Sequence, residues 1–180
     1  MQRLNRLFPL TFALWLLAWP SGCQRSQTKG QAEATIEEAP SLLTMLQVAD
    51  PKATVQLVKG FHEIEGSSWR WTMGRFSVLL SPPPGASKNG AKLVLRFSVP
   101  EPVLKRLTSV GLSASVDGVP LPEERYTAPG EQVYARDVPG QALAKSVVAV
   151  DFALDKYLPP GEADQRELGV VVTVIGFEPR

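Results

Sequence analysis

The chain is poor in the residues that carry most metal and nucleophile chemistry. It has one Cys and one His in 180 residues. A single Cys excludes an intrachain disulfide and a Cys-cluster zinc site. A single His excludes His-rich metal sites and leaves little for acid–base chemistry near neutral pH. Charge of either sign is not in surplus: 19 Lys+Arg stand against 18 Asp+Glu, a formal net charge of +1. A nucleic-acid binder would show a basic surplus or stripe, so no nucleic-acid partner is expected. Neither G-x-x-x-x-G-K-[ST] nor G-x-G-x-x-G occurs, which removes the usual phosphate cradles. Ser113, Ser115 and Ser146 lack a G-x-S-x-G elbow, and one His makes a triad improbable. No EF-hand loop and no internal repeat is present. No cofactor and no metal are expected. The remainder, 44% hydrophobic and 21% charged, is ordinary globular composition with room for one domain and flanking sequence.

The N-terminus is the most informative stretch. Arg3 and Arg6 precede an almost wholly apolar run from Leu7 to Trp19, and Pro20-Ser21-Gly22-Cys23 leads into polar sequence. A basic start, a short apolar run and small residues before a break describe an export signal. As a helix the run would rise about 20 Å, short of the roughly 30 Å hydrocarbon core. The lone Cys falls directly after Ser21-Gly22. This arrangement resembles the bacterial lipoprotein signal, with Pro20 where the pattern has an aliphatic residue. The resemblance implies lipidation of Cys23, removal of residues 1–22, and a membrane partner reached through the N-terminal lipid. Gln24, rather than Asp, after the Cys leans towards the outer membrane. The expected location is therefore the cell envelope, with the globular part held outside the cytoplasm.

Residues 24–34 contain no aromatic or large aliphatic side chain and read as a flexible tether. Leu42, Leu43, Met45 and Leu46 fit either a short helix starting at Ser41 or a buried edge segment. The expected organisation is a signal helix over 1–22, a tether over 23–50 and a folded domain over 51–180.

From Val55 onward the hydrophobic period is two. Phe76, Val78 and Leu80 alternate with Arg75 and Ser77, and Leu93, Leu95, Phe97 and Val99 with Lys92, Arg96 and Ser98. Leu112, Ala114 and Val116 follow the same rule, as do Val148, Val150, Phe152 and Leu154. Each is a strand with one face inward and one towards water. Residues 168–177 are apolar on both phases, which predicts a central strand covered on both faces. Asp117-Gly118 is a hairpin turn, and Pro/Gly clusters punctuate the rest. Short strands without a helical period predict an all-β, single antiparallel β-sandwich, jelly-roll-like, with an immunoglobulin-like order as the alternative.

Several stretches together resemble a family of small bacterial β-sandwich domains of poorly defined function. Its members occur as exported proteins or beside glycosyltransferase-type and cell-surface polysaccharide proteins. The matching residues are Gly60-Phe61-His62-Glu63, Trp69-Arg70-Trp71-Thr72, Leu104-Lys105-Arg106, Val116-Asp117-Gly118, Asp155-Lys156-Tyr157-Leu158-Pro159 and the run from Asp164 to Val170. The coverage runs from Val55 to Phe177. The resemblance implies a compact sandwich associated with carbohydrate; it supplies no reaction and no catalytic residue.

The candidate ligand-binding residues are Trp69, Trp71, His62, Arg166 and Glu167. Trp69 and Trp71 are two apart and share one face of a strand, as a stacking platform for a sugar ring or as core, with core expected for at least one of them. Arg70 then faces the other way with Thr72. His62 reads as a partly exposed structural His that also fits a ligand hydroxyl. Arg166, with Asp164 and Glu167 close by, offers a planar fork for an internal carboxylate or for an acidic sugar, the internal pair being preferred. Asp151 and Asp155 share a strand face, but nothing around them forms an aromatic cleft, so glycosidase chemistry is not expected. The leading expectation is a non-catalytic, lipid-anchored sandwich that binds or scaffolds an envelope polysaccharide; the alternative is a subunit that docks onto an envelope protein.

Overall fold

A computed structural model of the chain describes residues 42–162 and 164–180. The signal segment, Cys23 and the tether up to residue 41 lie outside the described residues.

Nine strands run through the described residues: β1 (Met45–Gln47), β2 (Leu57–Glu65), β3 (Trp69–Leu80), β4 (Ala91–Val99), β5 (Val110–Val116), β6 (Val119–Tyr126), β7 (Gly130–Val138), β8 (Val148–Leu154) and β9 (Val171–Pro179). Two short helices, α1 (Ala86–Asn89) and α2 (Glu101–Leu107), join β3 to β4 and β4 to β5. Every pairing is antiparallel. The strands form one continuous sheet, β6-β5-β8-β3-β9-β4-β7 with β1 beside β9 and β2 beside β3, which divides at β3 into the two sheets of the sandwich, β1-β9-β4-β7 and β2-β3-β8-β5-β6. The chain steps from one sheet to the other between β1 and β2, β3 and β4, β4 and β5, β6 and β7, β7 and β8, and β8 and β9. That order is the double Greek key of a jelly roll, with β2 added beside β3.

The long strand β3 belongs to both sheets. Its first part, at Arg70 and Trp71, pairs with Val172 and Val171 of β9; its second part, from Arg75 to Leu80, pairs with β8. The wedge that opens beside β9 is filled by β1, which pairs with Val174–Gly176. The sandwich therefore begins before Pro51, and residues 45–47, expected within the tether, are a strand. Leu46 and Val48 are wholly buried, so apolar burial rather than helix formation decides this segment. A 3-10 helix over Pro51–Gln56 follows, capped by Asp50, whose carboxylate accepts from the Lys52 N–H at 2.8 Å. Gln56 then stitches β1 to the second sheet: its amide exchanges hydrogen bonds with Leu43 and donates to the Leu79 carbonyl at 2.7 Å.

The alternation read from the sequence sets the core. Phe76, Val78, Leu80, Leu93, Leu95, Leu112, Val116, Val148 and Val150 are buried to within 1%. Phe76 stacks on Phe152 with ring centroids 4.8 Å apart and meets Phe61 edge-on at 5.5 Å. Asp117 and Gly118 both have positive φ (50° and 84°), as a two-residue hairpin of this hand requires. Strand β9 is central, but only one of its faces is covered. A bulge at Thr173 separates Val172, which pairs with inward Phe97, from Val174, which pairs with exposed Arg96. Val171 and Val174 thus stand on the outer face, half-buried.

The edge where β6 passes to β7 is closed by side chains. The Tyr134 hydroxyl donates to the Pro122 carbonyl at 2.8 Å, and the Arg136 guanidinium lies 4.6 Å from the Tyr134 ring centre while pairing with Glu124 at 2.8 Å. Burial pushes the Tyr134 phenol above its ordinary range.

Candidate functional site

The connection from β8 to β9 spans residues 155–170 and folds back on itself through reciprocal hydrogen bonds between Leu158 and Leu168 at 2.8 and 2.9 Å. It brings Asp164, Arg166 and Glu167 onto the β2–β3 hairpin. Glu167 joins the two twice. Its backbone carbonyl lies 2.6 Å from His62 Nε2, and its carboxylate accepts from the Gly74 N–H at 2.6 Å. A carbonyl can only accept, so the His62 proton sits on Nε2. Arg166 forks onto Asp164 through Nε (3.1 Å) and Nη2 (2.9 Å) and reaches Glu65 through Nη1 at 2.5 Å. The ring of Tyr157 lies over Gly74, where an added Cβ would come within 2.2 Å of a ring carbon. His62, Arg166 and Glu167 are thus gathered in one place, with their hydrogen-bonding capacity turned inward. They form a clasp that holds the loop to the hairpin.

The Arg166 guanidinium, with help from its own backbone N–H, holds the Asp164 carboxyl well below the usual range, at about 2. The sign of the pH effect follows. A depressed folded-state value means that the ion pair stabilises fully above the ordinary value of 3.8 and is lost as pH falls through about 2. Acid titration followed by amide shifts of the 155–170 loop should therefore show loosening between about pH 4 and pH 2. The Asp164→Asn protein should lose the part of that transition seen at Arg166 and its neighbours, while the part centred on Asp155 remains.

Trp69 and Trp71 lie on the other side of β3. Arg70 and Thr72 are buried, whereas both Trp side chains are half-buried. The Trp69 indole lies over Gly66 of the hairpin turn. Trp71 packs against the rim of the core and heads a row that runs across the outer face of the β1-β9-β4-β7 sheet: Trp71, Val171, Ser98, Glu131. The adjoining row is Gln47, Val174, Arg96, Val133. With strands about 4.8 Å apart, the Trp71 row spans about 14 Å. Between Arg96, Ser98, Glu131, Gln132, Val133 and Thr173 lies a groove of about 440 Å³. The sequence did not single out its polar residues, because outward positions on a strand look alike until the register is known.

Arg70 points inward. The residue is 7% exposed, and its guanidinium donates to the Val48 carbonyl (2.8 Å), the His62 carbonyl (3.0 Å) and Thr54 Oγ1 (3.3 Å). Asp151 and Asp155 are engaged separately. Asp151 lies 3.9 Å from Lys59 Nζ; Asp155 accepts from the Gly111 N–H at 2.6 Å and pairs with Arg125 at 2.7 Å. Burial raises the Asp155 carboxyl, but the Gly111 N–H and Arg125 outweigh it, and the net shift is downward. These contacts account for Asp155 as a structural group, whereas Asp151 stays well exposed beside Lys59. Among the described residues, no group of three His, Cys, Asp or Glu side chains is placed to hold a metal ion.

Fold and surface together define a jelly-roll β-sandwich with a loop clasp at one end and a polar groove on the outer face of one sheet. No family profile and no curated protein matches the chain. Among solved structures, the chain is similar to one described as "CBM4 structure and function", at 10% identity over 76% of this chain and 85% of that one, with a TM-score of 0.35. A likeness at that level says nothing about ligand or site.

Proposed function

We propose that this protein is a non-catalytic carbohydrate-binding sandwich of the cell envelope, held at a membrane by lipid on Cys23, and that it binds glycan on the outer face of the β1-β9-β4-β7 sheet. The observation that carries the reading is the direction of Trp71. It faces outward at the head of a row that ends in Ser98 and Glu131, beside a groove with further polar groups. An indole offers an apolar face to the C–H side of a sugar ring, and nearby hydroxyl, amide and carboxylate groups take its hydroxyls. The reading of residues 1–23 as an export signal supports a surface that meets envelope polysaccharides.

A Trp at the centre of a contact is worth about 2 kcal/mol or more, so Trp71→Ala should weaken glycan binding about thirty-fold. Glycan-array screening followed by calorimetry on the best neutral oligosaccharide checks this, with circular dichroism to confirm the fold. If no glycan binds the wild type, or if the variant binds equally well, the reading fails. The alternative of a protein-docking edge has one observation in its favour. Among the described residues β2 pairs only with β3, and it carries Val58, 55% exposed. Capture of an envelope protein that survives Trp71→Ala and is lost in Val58→Lys would favour that role.

A further inference from the structure

The opposite sheet carries a second groove, and its chemistry differs from the first. Its outer face has a floor of small side chains. One register row runs Lys59, Ser77, Asp151, Ser115, Pro120 across β2, β3, β8, β5 and β6. The next runs Arg75, Ala153, Ser113. Because the other floor residues are Ser and Ala, only Asp151 rises from β8 and β5 between the charged wall at β2–β3 and Pro120. The result is an open trough of about 340 Å³.

The wall is not neutral. Lys59 and Arg75 face one carboxylate, Asp151, and Lys59 reaches it only at 3.9 Å with both groups well exposed. Arg75 makes no ion pair and no side-chain hydrogen bond among the described residues, whereas Arg125, Arg136, Arg166 and Arg180 each pair with a carboxylate. One positive charge therefore remains at the trough's wall. The Ser113 hydroxyl is directed to the Ala153 carbonyl at 3.3 Å, whereas the Ser115 hydroxyl has no such bond among the described residues.

We propose that this trough binds a carboxylate-bearing sugar unit of an acidic polysaccharide. The Arg75 fork matches a planar carboxylate, and Lys59 adds a point charge. Asp151 accepts from, and Ser115 donates to, the hydroxyl groups of the same or the next sugar. An open trough on a sheet face admits a segment of polymer, where an enclosed cavity would select a small molecule. The site shares no residue with the Trp71 face and lies on the other sheet, so it stands or falls independently of the function proposed above.

The test uses an oligomer of galacturonic acid and the same oligomer with its carboxylates methyl-esterified, titrated at low salt by calorimetry and amide NMR. The acid form should bind with shifts centred on Arg75, Ser115 and Ala153, and the ester at least ten-fold more weakly. Arg75→Gln should lose at least ten-fold. Ser115→Leu should lose as much by filling the floor without changing charge. Lys92→Gln, on the other sheet, should bind as the wild type does. The proposal is overturned if the acid oligomer does not bind, if the ester binds equally well, or if Lys92→Gln weakens binding as much as Arg75→Gln. Equally tight, Arg75-dependent binding of polyphosphate would also overturn it, since the trough would then recognise anions at large. Should Ser115→Leu fail to fold, Arg75→Gln decides alone.

Discussion

Arg70→Met is expected to destabilise the protein by about 3 kcal/mol, the sum of one to two buried acceptors left without donors. At a urea slope of about 2 kcal/mol per molar, the unfolding midpoint should fall by about 1.5 M. The reasoning turns on what remains after the substitution. Met fills much of the Arg stem's volume, so packing changes little. The Val48 carbonyl sits in a wholly buried residue and loses its donor at 2.8 Å, and the half-buried His62 loses its donor at 3.0 Å. Thr54 is exposed, and water replaces its partner. A competing effect acts the other way. A buried guanidinium costs several kcal/mol of desolvation, and exchanging buried ion pairs for apolar groups is often neutral or stabilising. That exchange removes both partners at once. Here the partners are backbone carbonyls, which no side-chain substitution removes, so the loss of donors should win. Arg70→Lys should recover only part of the stability, because one ammonium cannot reach acceptors on three separate pieces of chain. An unchanged midpoint in Arg70→Met would show that the guanidinium is merely tolerated.

The position of Arg70 also shows where the sequence could be read and where it could not. Period two was plain from Phe76 to Leu80, and the same parity continues backwards through Gly74 to Thr72 and Arg70, all of them buried. Extending the phase by three turns of the pleat would have placed Arg70 inside and both Trp outside. The strength of Trp as a core residue and of Arg as a surface residue masks that signal. What no periodicity could supply is the identity of Arg70's partners. They come from the end of β1, from the 3-10 helix and from β2, and they are set by tertiary approach. The strand β1 was hidden for a related reason: three residues are too few for alternation to be read, and it exists because β3 leaves β9 to join the other sheet. The Arg166–Asp164 pair was legible, since the partners lie two apart. Glu65 lies 101 positions away and was not. The bulge at Thr173 likewise explains why apolar residues on both phases of β9 do not mean two covered faces.

Phe76→Ala should be the most damaging single change in the fold, at about 3–5 kcal/mol. Phe76 is wholly buried, stacked on Phe152 and met edge-on by Phe61. Its ring partners stand on the two strands that flank this part of β3, Phe152 on β8 and Phe61 on β2. The cavity cannot close cheaply. On one side β2 already touches the backbone here: Gly60, at φ +77°, brings its Cα so close that an added Cβ would lie 2.1 Å from the Arg75 carbonyl and 2.7 Å from the Phe76 Cα. A backbone in contact cannot move further inward. On the other side Phe152 is fixed by the register of β8 between β3 and β5. A site that cannot collapse keeps the full cavity cost, on the order of 24 cal/mol for each Å³ left empty, in addition to the lost transfer energy. Phe76→Leu, which keeps most of the volume, should cost about 1–2 kcal/mol and leave a cooperative transition. Urea unfolding followed by Trp fluorescence distinguishes the two. A Phe76→Ala protein that unfolds within about 1 kcal/mol of the wild type would mean that the structure closes around the missing ring, and the account of a site held open by β2 and β8 would have to be given up.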